Sequence, residues 1–418
     1  GYTELVLSNG ETVILKPTTF KNDEILVTAW SPGGTSLYPD NKMINANYAA
    51  SIVDGSGIGN YDNSQLMKFL KTKNMGIVPY INDLEEGFNG SSSPKDFETL
   101  LQYTYMFFEV PRKDKSILDA EVSKLQTQIQ MLKNMPEFDF QIKMFKTMYP
   151  NDKRTILIPT EEQLKKMNID EMYTIFRERF SDAADFTFTF VGNFGIDTTI
   201  ALIEKYIGAI PSKGKKEQWL DKSSAFAKGK IDEVVYKGEA EKGMLVLATQ
   251  KDYLWDQKEN TATRILGDIC DIKLTETIRE ELGGTYSPSF RLSYDKFPKP
   301  EISMMAFYGC DPTTIDKLTD ATWGVLDKIV NEGPTDVDLA KVKEQLIRAR
   351  EKQSQENGFW SSILKSYYWY ETPLRTNEAY NAAVNAITKE DVQAVAKKYL
   401  DHKDHVRVSL KPAAMQGK

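Results

Sequence analysis

Apolar residues recur along this chain with two periods, and the segments that carry them change from one period to the other. Met172, Ile175, Phe176 and Phe180 lie on one face of a helical period, and Phe186, Phe188 and Phe190 then alternate with threonines as a half-buried strand does. Further on, Val392, Val395, Ala396 and Leu400 predict a second helix, followed by the alternating Val406, Val408 and Leu410. Shorter strand patterns cover Thr12 to Leu15, Ile25 to Trp30, Met244 to Ala248 and Glu301 to Gly309. Met43 to Asp54 reads as a helix, as does the stripe Ile265, Leu266, Ile269, Ile272. A helical pair is broken at Gly333-Pro334 and restarted by Thr335-x-x-Asp338.

These patterns repeat. Asn168-Ile-Asp-Glu171 and Thr388-Lys-Glu-Asp391 both place an N-cap residue three positions before an acid, close to a capping box. From there the apolar positions match at a constant offset of 220, into the following strand. Pro94 and Pro312 each open an amphipathic helix at an offset of 218, with Phe97 and Leu100 answered by Ile315 and Leu318. The reading is two copies of one α+β domain. Residues 1–212 form the first copy and 233–418 the second. The polar, lysine-rich stretch 213–232 joins them as a linker. Strands and helices cluster instead of alternating strictly, which predicts antiparallel sheets covered by helices.

Composition narrows the chemistry. The 418 residues include Lys+Arg 53 against Asp+Glu 60, a net charge of -7 that argues against a nucleic-acid surface. No apolar run approaches the roughly 20 residues needed to span a bilayer. Gly1 stands where an initiating methionine would, which suggests a piece of a longer chain. The two histidines, His402 and His405, both lie near the end, and the two cysteines are Cys270 and Cys310. Zinc takes about three or four ligands of these types or carboxylates. A histidine-based metal site or a Ser-His-Asp triad is therefore excluded from residues 1–401, and no metal ligands are assigned in this chain.

Most motifs have plain structural readings. Gly55-Ser-Gly57-Ile-Gly59 follows a helix instead of opening one, so it reads as a helix-terminating turn and not a phosphate loop. Gly33-Gly34 and Gly192-x-x-Gly195 are turns. Asp401-His-Lys-Asp-His405 is a polar, solvated loop, Cys270 is core, and Tyr367-Tyr-Trp-Tyr370 is packing. Arg279-Glu-Glu-Leu-Gly-Gly-Thr-Tyr286 admits two readings. It is either a helix-terminal arginine, a cap at Gly283-Gly284 and a strand tyrosine, or a pair of donors. In the second case the chain reversal brings Tyr286 back toward Arg279, and both reach one carbonyl.

That last segment, as Leu274-x4-Arg279-Glu-Glu-Leu-Gly-Gly-Thr-Tyr286-Ser, resembles the C-terminal half of pitrilysin/insulinase-type zinc peptidases, the inverzincins. Ser31-Pro-Gly-Gly-Thr-Ser36, Glu86-Gly-Phe-Asn-Gly90 and Pro111-Arg112 look like the third domain of the large bacterial members. The resemblance covers nearly the whole chain. It implies two tandem insulinase-like domains, with Arg279 and Tyr286 as supporting catalytic residues that bind the substrate carbonyl. Gly283 and Gly284 would line the same substrate site. Family catalysis needs H-x-x-E-H, with two histidines on zinc and a glutamate activating water. Aligned by Gly57 and Leu66, the first copy has Tyr48, Ser51 and Ile52 at those places; with Gly76 matched to Gly284, it has Lys71 and Val78 where the second has Arg279 and Tyr286.

The resemblance therefore implies the C-terminal, non-catalytic half of a zinc endopeptidase. Zinc would sit on an N-terminal half or a catalytic subunit, and peptides would be the substrates. The chain alone would be inactive. Two alternatives are a separate partner subunit of a two-subunit peptidase and a structural subunit without peptidase work. The large bacterial relatives suggest the cell envelope or periplasm.

Overall fold

A computed structural model describes residues 1–285 and 288–417. The first half of the chain opens with β1 (Thr3–Val6), β2 (Thr12–Pro17) and β3 (Ile25–Pro32), followed by α1 (Met43–Gly55) and α2 (Asn63–Leu70). A hairpin, β4 (Met75–Ile81) and β5 (Glu85–Ser92), precedes α3 (Phe97–Glu109), α4 (Lys115–Leu132) and α5 (Pro136–Met148). Then come α6 (Glu161–Lys165), α7 (Ile169–Arg179), β6 (Thr187–Gly192) and α8 (Ile196–Tyr206). The second half runs β7 (Lys230–Tyr236), β8 (Gly243–Asp252), α9 (Gln257–Leu274), β9 (Ser289–Asp295) and β10 (Glu301–Cys310). It continues as α10 (Ile315–Glu332), α11 (Asp336–Gln353), α12 (Asn357–Tyr370), α13 (Asn377–Ala386), α14 (Lys389–Tyr399) and β11 (His405–Lys411).

The chain divides into two compact units, each assembled from three segments. The first comprises Gly1–Ile129, Ile156–Lys222 and Lys352–Leu374, and the second Gln130–Thr155, Ser223–Glu351 and Arg375–Lys418. Each unit thus takes one helical segment from the opposite half of the chain. Nothing in the apolar pattern around 213–232 announces that exchange.

In the first unit six strands pair in the order β1-β2-β6-β3-β5-β4, all antiparallel except β2 with β6. One face of the sheet carries Val27, Phe88, Phe186, Phe188 and Phe190 against α3, α7 and α8. The other face presents Ile14, Trp30 and Val191, which pack with Leu364 of α12. Polar contacts fix the register of that helix: Thr28 Oγ1 and Ser361 Oγ are 2.9 Å apart, and Thr18 donates to Asn357 at 2.6 Å. The Tyr367-to-Tyr370 cluster belongs to α12, and Tyr368 and Trp369 pack beside Leu364.

In the second unit the order is β7-β11-β8-β10-β9, with β7 and β11 parallel. Leu245, Leu247, Met304, Ala306 and Tyr308 face α9, α10, α11 and α14. Cys270 lies there with no exposed surface. The opposite face, Val246, Ala248, Val406, Val408 and Leu410, is covered by Phe140 and Met148 of α5.

The local signals act as the pattern predicts. Asn168 caps α7 through Glu171 N at 2.9 Å, and Thr388 and Asp391 form a reciprocal capping box on α14. Ser93 and Pro94 precede α3, and Asp311 and Pro312 precede α10. Gly57 has φ 92°, and a side chain there would strike the Tyr61 carbonyl, so the Gly55–Gly59 run is a turn. One equivalence fails. Phe186, Phe188 and Phe190 face the helix layer of their sheet, whereas Val406, Val408 and Leu410 face away from theirs, toward α5. The alternation repeats, but an odd difference in register between helix and strand turns every side chain over.

Candidate functional site

Helix α9 changes its winding before it reaches the glycine cap at Gly283. It continues into a π-helical turn, Thr275–Glu281, where Leu282 N donates to Thr277 O at 3.1 Å. A π-turn within a helix is rare and is common at functional sites, because it shifts the face on which each side chain emerges. Ile278 is fully buried in the core and anchors the turn. Arg279 emerges on the solvent side, its side chain 49% exposed, with Glu280 Oε1 3.0 Å from Nη2.

Gly283 and Gly284 serve different ends. Gly283 has φ 57°, the left-handed conformation that reverses the chain. Gly284 N donates to Ile278 O at 2.9 Å, and its α-carbon lies so near α10 that a β-carbon would stand 2.3 Å from Leu318 Cδ2. Thr285 is buried, and β9 begins at Ser289. Tyr286 lies outside the described residues. Because β9 is the last strand of its sheet, the segment bearing Arg279 leads directly into an open edge.

In the first unit the corresponding elements lead to the other sheet's edge, β4. Lys71 caps the C-terminus of α2 and Val78 is exposed on β4. On α1, Tyr48 is half-buried, Ser51 is exposed and donates to Tyr48 O at 3.1 Å, and Ile52 is 2% exposed in the core. Burial first, and then Glu121 nearby, push the Tyr48 phenol up. A phenol, a hydroxyl and a buried alkyl group do not fit zinc. Among the described residues no three His, Cys, Asp or Glu side chains gather as a ligand set.

The histidines are not the solvated loop that their polar neighbours predict. His402 stacks on Trp323 of α10 at 4.4 Å between ring centroids, with Nε2 3.1 Å from Asp327. His405 Nδ1 lies 2.8 Å from His402 O. An aromatic shelf on α10, distant in sequence, draws the loop onto the helix.

A second cluster escaped the sequence patterns. Glu86 of β5, 1% exposed, accepts from Gly34 N at 2.7 Å and lies 3.6 Å from the Arg179 guanidinium. Arg179 also donates through Nε to Tyr38 at 3.2 Å and meets Glu217 Oε2 at 2.8 Å. Burial raises Glu86 to about 8 against the pull of Arg179 and Gly34. Burial acts the same way on Glu217, but hydrogen bonds from Arg179 and Lys215 outweigh it and hold that carboxylate low. Both carboxylates therefore face the one guanidinium, Glu217 the nearer at 2.8 Å. Arg179 takes a place on the stripe Met172, Ile175, Phe176, and a charge on an apolar stripe is the signal that could have found it.

Two antiparallel-rich sheets, each covered by helices, define an α+β fold. Residues 166–346 match the Peptidase M16 inactive domain. The chain is 25% identical over 418 residues to the probable zinc protease PqqL of Haemophilus influenzae, covering 98% of this chain and 44% of the relative. It superposes on the crystal structure of the periplasmic protease PqqL from Escherichia coli with TM-score 0.85 at 23% identity, covering 98% of this chain and 45% of that one. For the peptidase M16 inactive domain from Pseudomonas fluorescens the TM-score is 0.82 at 15% identity, covering 99% and 98%. Residues 166–346 thus carry an M16 inactive domain of the pitrilysin/insulinase-type group that the motifs resemble, and the chain is homologous to the PqqL zinc proteases. It spans less than half the length of the curated relatives it matches.

Proposed function

We propose that this chain is the non-catalytic C-terminal half of a zinc-dependent endopeptidase and works with an N-terminal half that bears the zinc. The observation that carries this reading is the placement of Arg279. Its guanidinium faces solvent on a π-turn, seven residues before Tyr286 and just ahead of an open strand edge. A stabilising arginine would be spent on its own fold, and this one touches only its neighbour Glu280 in the contacts described. The match of the segment to an inactive domain supports the absence of a zinc site of its own.

In the assembled enzyme Arg279 and Tyr286 would donate to the carbonyl under attack and to the oxyanion it becomes, an effect of about a hundredfold to a thousandfold per donor. Gly283 and Gly284 would let a peptide approach the backbone, and the β9 edge offers unpaired groups to an extended substrate. We place the protein in the bacterial cell envelope, by likeness to the periplasmic relative.

The test is hydrolysis of a quenched fluorescent peptide library, with bound zinc measured on the same sample. The chain alone should show neither turnover nor zinc, and adding the zinc-bearing half should give turnover that Tyr286→Phe lowers. Turnover with stoichiometric zinc from the chain alone would overturn the reading. A separate partner subunit is the second reading. A native protein of about this mass on a blot would select it, and one near twice the mass would select the first.

A further inference from the structure

Residues 213–228 have the composition of a flexible linker and no regular secondary structure, yet the stretch up to Leu220 is fastened to the first unit residue by residue. Ala183 N donates to Pro211 O at 3.0 Å, which starts the path. Asp182 then accepts from Lys213 N at 3.0 Å and from Lys215 N at 3.2 Å. Asp185 accepts from Glu217 N, and Lys216 Nζ lies 3.3 Å from its other oxygen. Leu220 N donates to Ser36 Oγ at 3.0 Å. Between these, the Glu217 carboxylate grips the Arg179 guanidinium, accepting from Nη2 at 3.2 Å and standing 2.8 Å from Nη1 as an ion pair.

The grip sits in a cavity of about 420 Å³ lined by Ser31, Tyr38, Glu86, Arg179, Asp182 and Glu217 among others. Its floor comes from elements outside the strap. Arg179 comes from α7, Tyr38 follows the Gly33-Gly34 turn, and Glu86 comes from β5. Glu86 stands 3.6 Å from the guanidinium and Glu217 2.8 Å, so the strap supplies the nearer anion. A buried cation with no anion is costly, and a close carboxylate with a charge-assisted hydrogen bond offsets that cost. Lys213, Lys215 and Lys216, by contrast, lie on the exposed side of the strap.

We propose that residues 213–220 form an electrostatic latch, closed by Glu217 on Arg179, that holds a run of exposed lysines in a conformation a protease cannot take. A trypsin-like enzyme needs an extended segment of several residues, so its cleavage reports the open state. When opening and closing are fast, the rate follows the open population. The composition predicts a site cut at once, whereas the contacts predict a protected one.

The experiment is limited trypsin digestion of the whole chain, with cuts after Lys213, Lys215 and Lys216 timed by mass spectrometry. The cut after Lys71, on the exposed end of α2, serves as internal reference. Glu217→Gln should speed the three strap cuts at least tenfold and leave the Lys71 cut unchanged. Asp182→Asn leaves the buried guanidinium untouched and should also speed them, which covers the case in which Glu217→Gln disturbs the fold. Equal strap rates in wild type and both variants would overturn the latch. So would wild-type cleavage as fast as that of a free peptide of residues 209–224.

Discussion

Gly284 and Leu318 are packed so closely that no side chain fits between them: a β-carbon on the glycine would stand 2.3 Å from Leu318 Cδ2, and Leu318 is 1% exposed. Gly284→Ala should therefore displace a core leucine and cost about 1–3 kcal/mol by overpacking. Gly283→Ala has open space and only its φ of 57° to contend with, and should cost about 1–2 kcal/mol. Urea denaturation of both variants checks the pair. Restoration of Gly284→Ala by Leu318→Val would confirm the contact, whereas a Gly284→Ala protein as stable as wild type would refute it.

Arg279 predicts the opposite profile. Its side chain is half exposed and joined only to Glu280 in the contacts described, so Arg279→Ala should shift stability by less than about 0.5 kcal/mol. In the assembled enzyme the same change should lower kcat/KM by about a hundredfold or more. Loss of stability without loss of activity would return Arg279 to a helix-end role.

Asp54 of α1 gives the clearest pH prediction. Burial raises its carboxyl from 3.8 to about 6. A folded-state value above the unfolded one contributes stability that is complete below the unfolded value and lost as pH rises through the folded one. At pH 8 the wild type therefore bears the cost of a half-buried charge. Asp54→Asn should stabilise the fold by about 1–3 kcal/mol at that pH and by almost nothing below pH ~4. Thermal melts at both pH values decide it, and a gain of equal size at each would show that the charge is not the cause.

Leu364 tests the helix borrowed by the first unit. It is 1% exposed and packs on Ile14, Trp30 and Val191. Leu364→Ala should cost about 2–5 kcal/mol, as for other buried leucines. A cost below about 1 kcal/mol in denaturation would mean that α12 is not part of that core.

Sequence periodicity carried the fold a long way, because each copied element buries one stripe. Phe97, Leu100, Ile315 and Leu318 are all at most 3% exposed. The strand faces were not legible: Val406 and Phe186 share an offset but not a side of the sheet, since one residue of slip is invisible to an alternation. The exchange of α5 and α12 was hidden for a related reason. A helical stripe says that a face is buried, not which sheet buries it. At the candidate site, Arg279 and the two glycines could be named from spacing, but the π-turn depends on where Ile278 finds its pocket in the core. Arg179 and Glu217 were harder still, because a guanidinium partner 38 residues away is fixed by tertiary structure alone.

Helices α5 and α12 each close a sheet encoded on the far side of the connecting segment. Severing the backbone in that segment would therefore not divide the molecule into two domains. Each fragment would retain a helix that the other's core requires, and the pieces would stay joined as a non-covalent pair until one of them unfolds. A nicked sample should elute from a sizing column at the intact mass and fall apart only in denaturant. For a duplicated protein, this reciprocity makes the two copies inseparable by proteolysis and sets a condition on any natural split of the gene. A break at the connector can survive, but a break that removes either borrowed helix cannot.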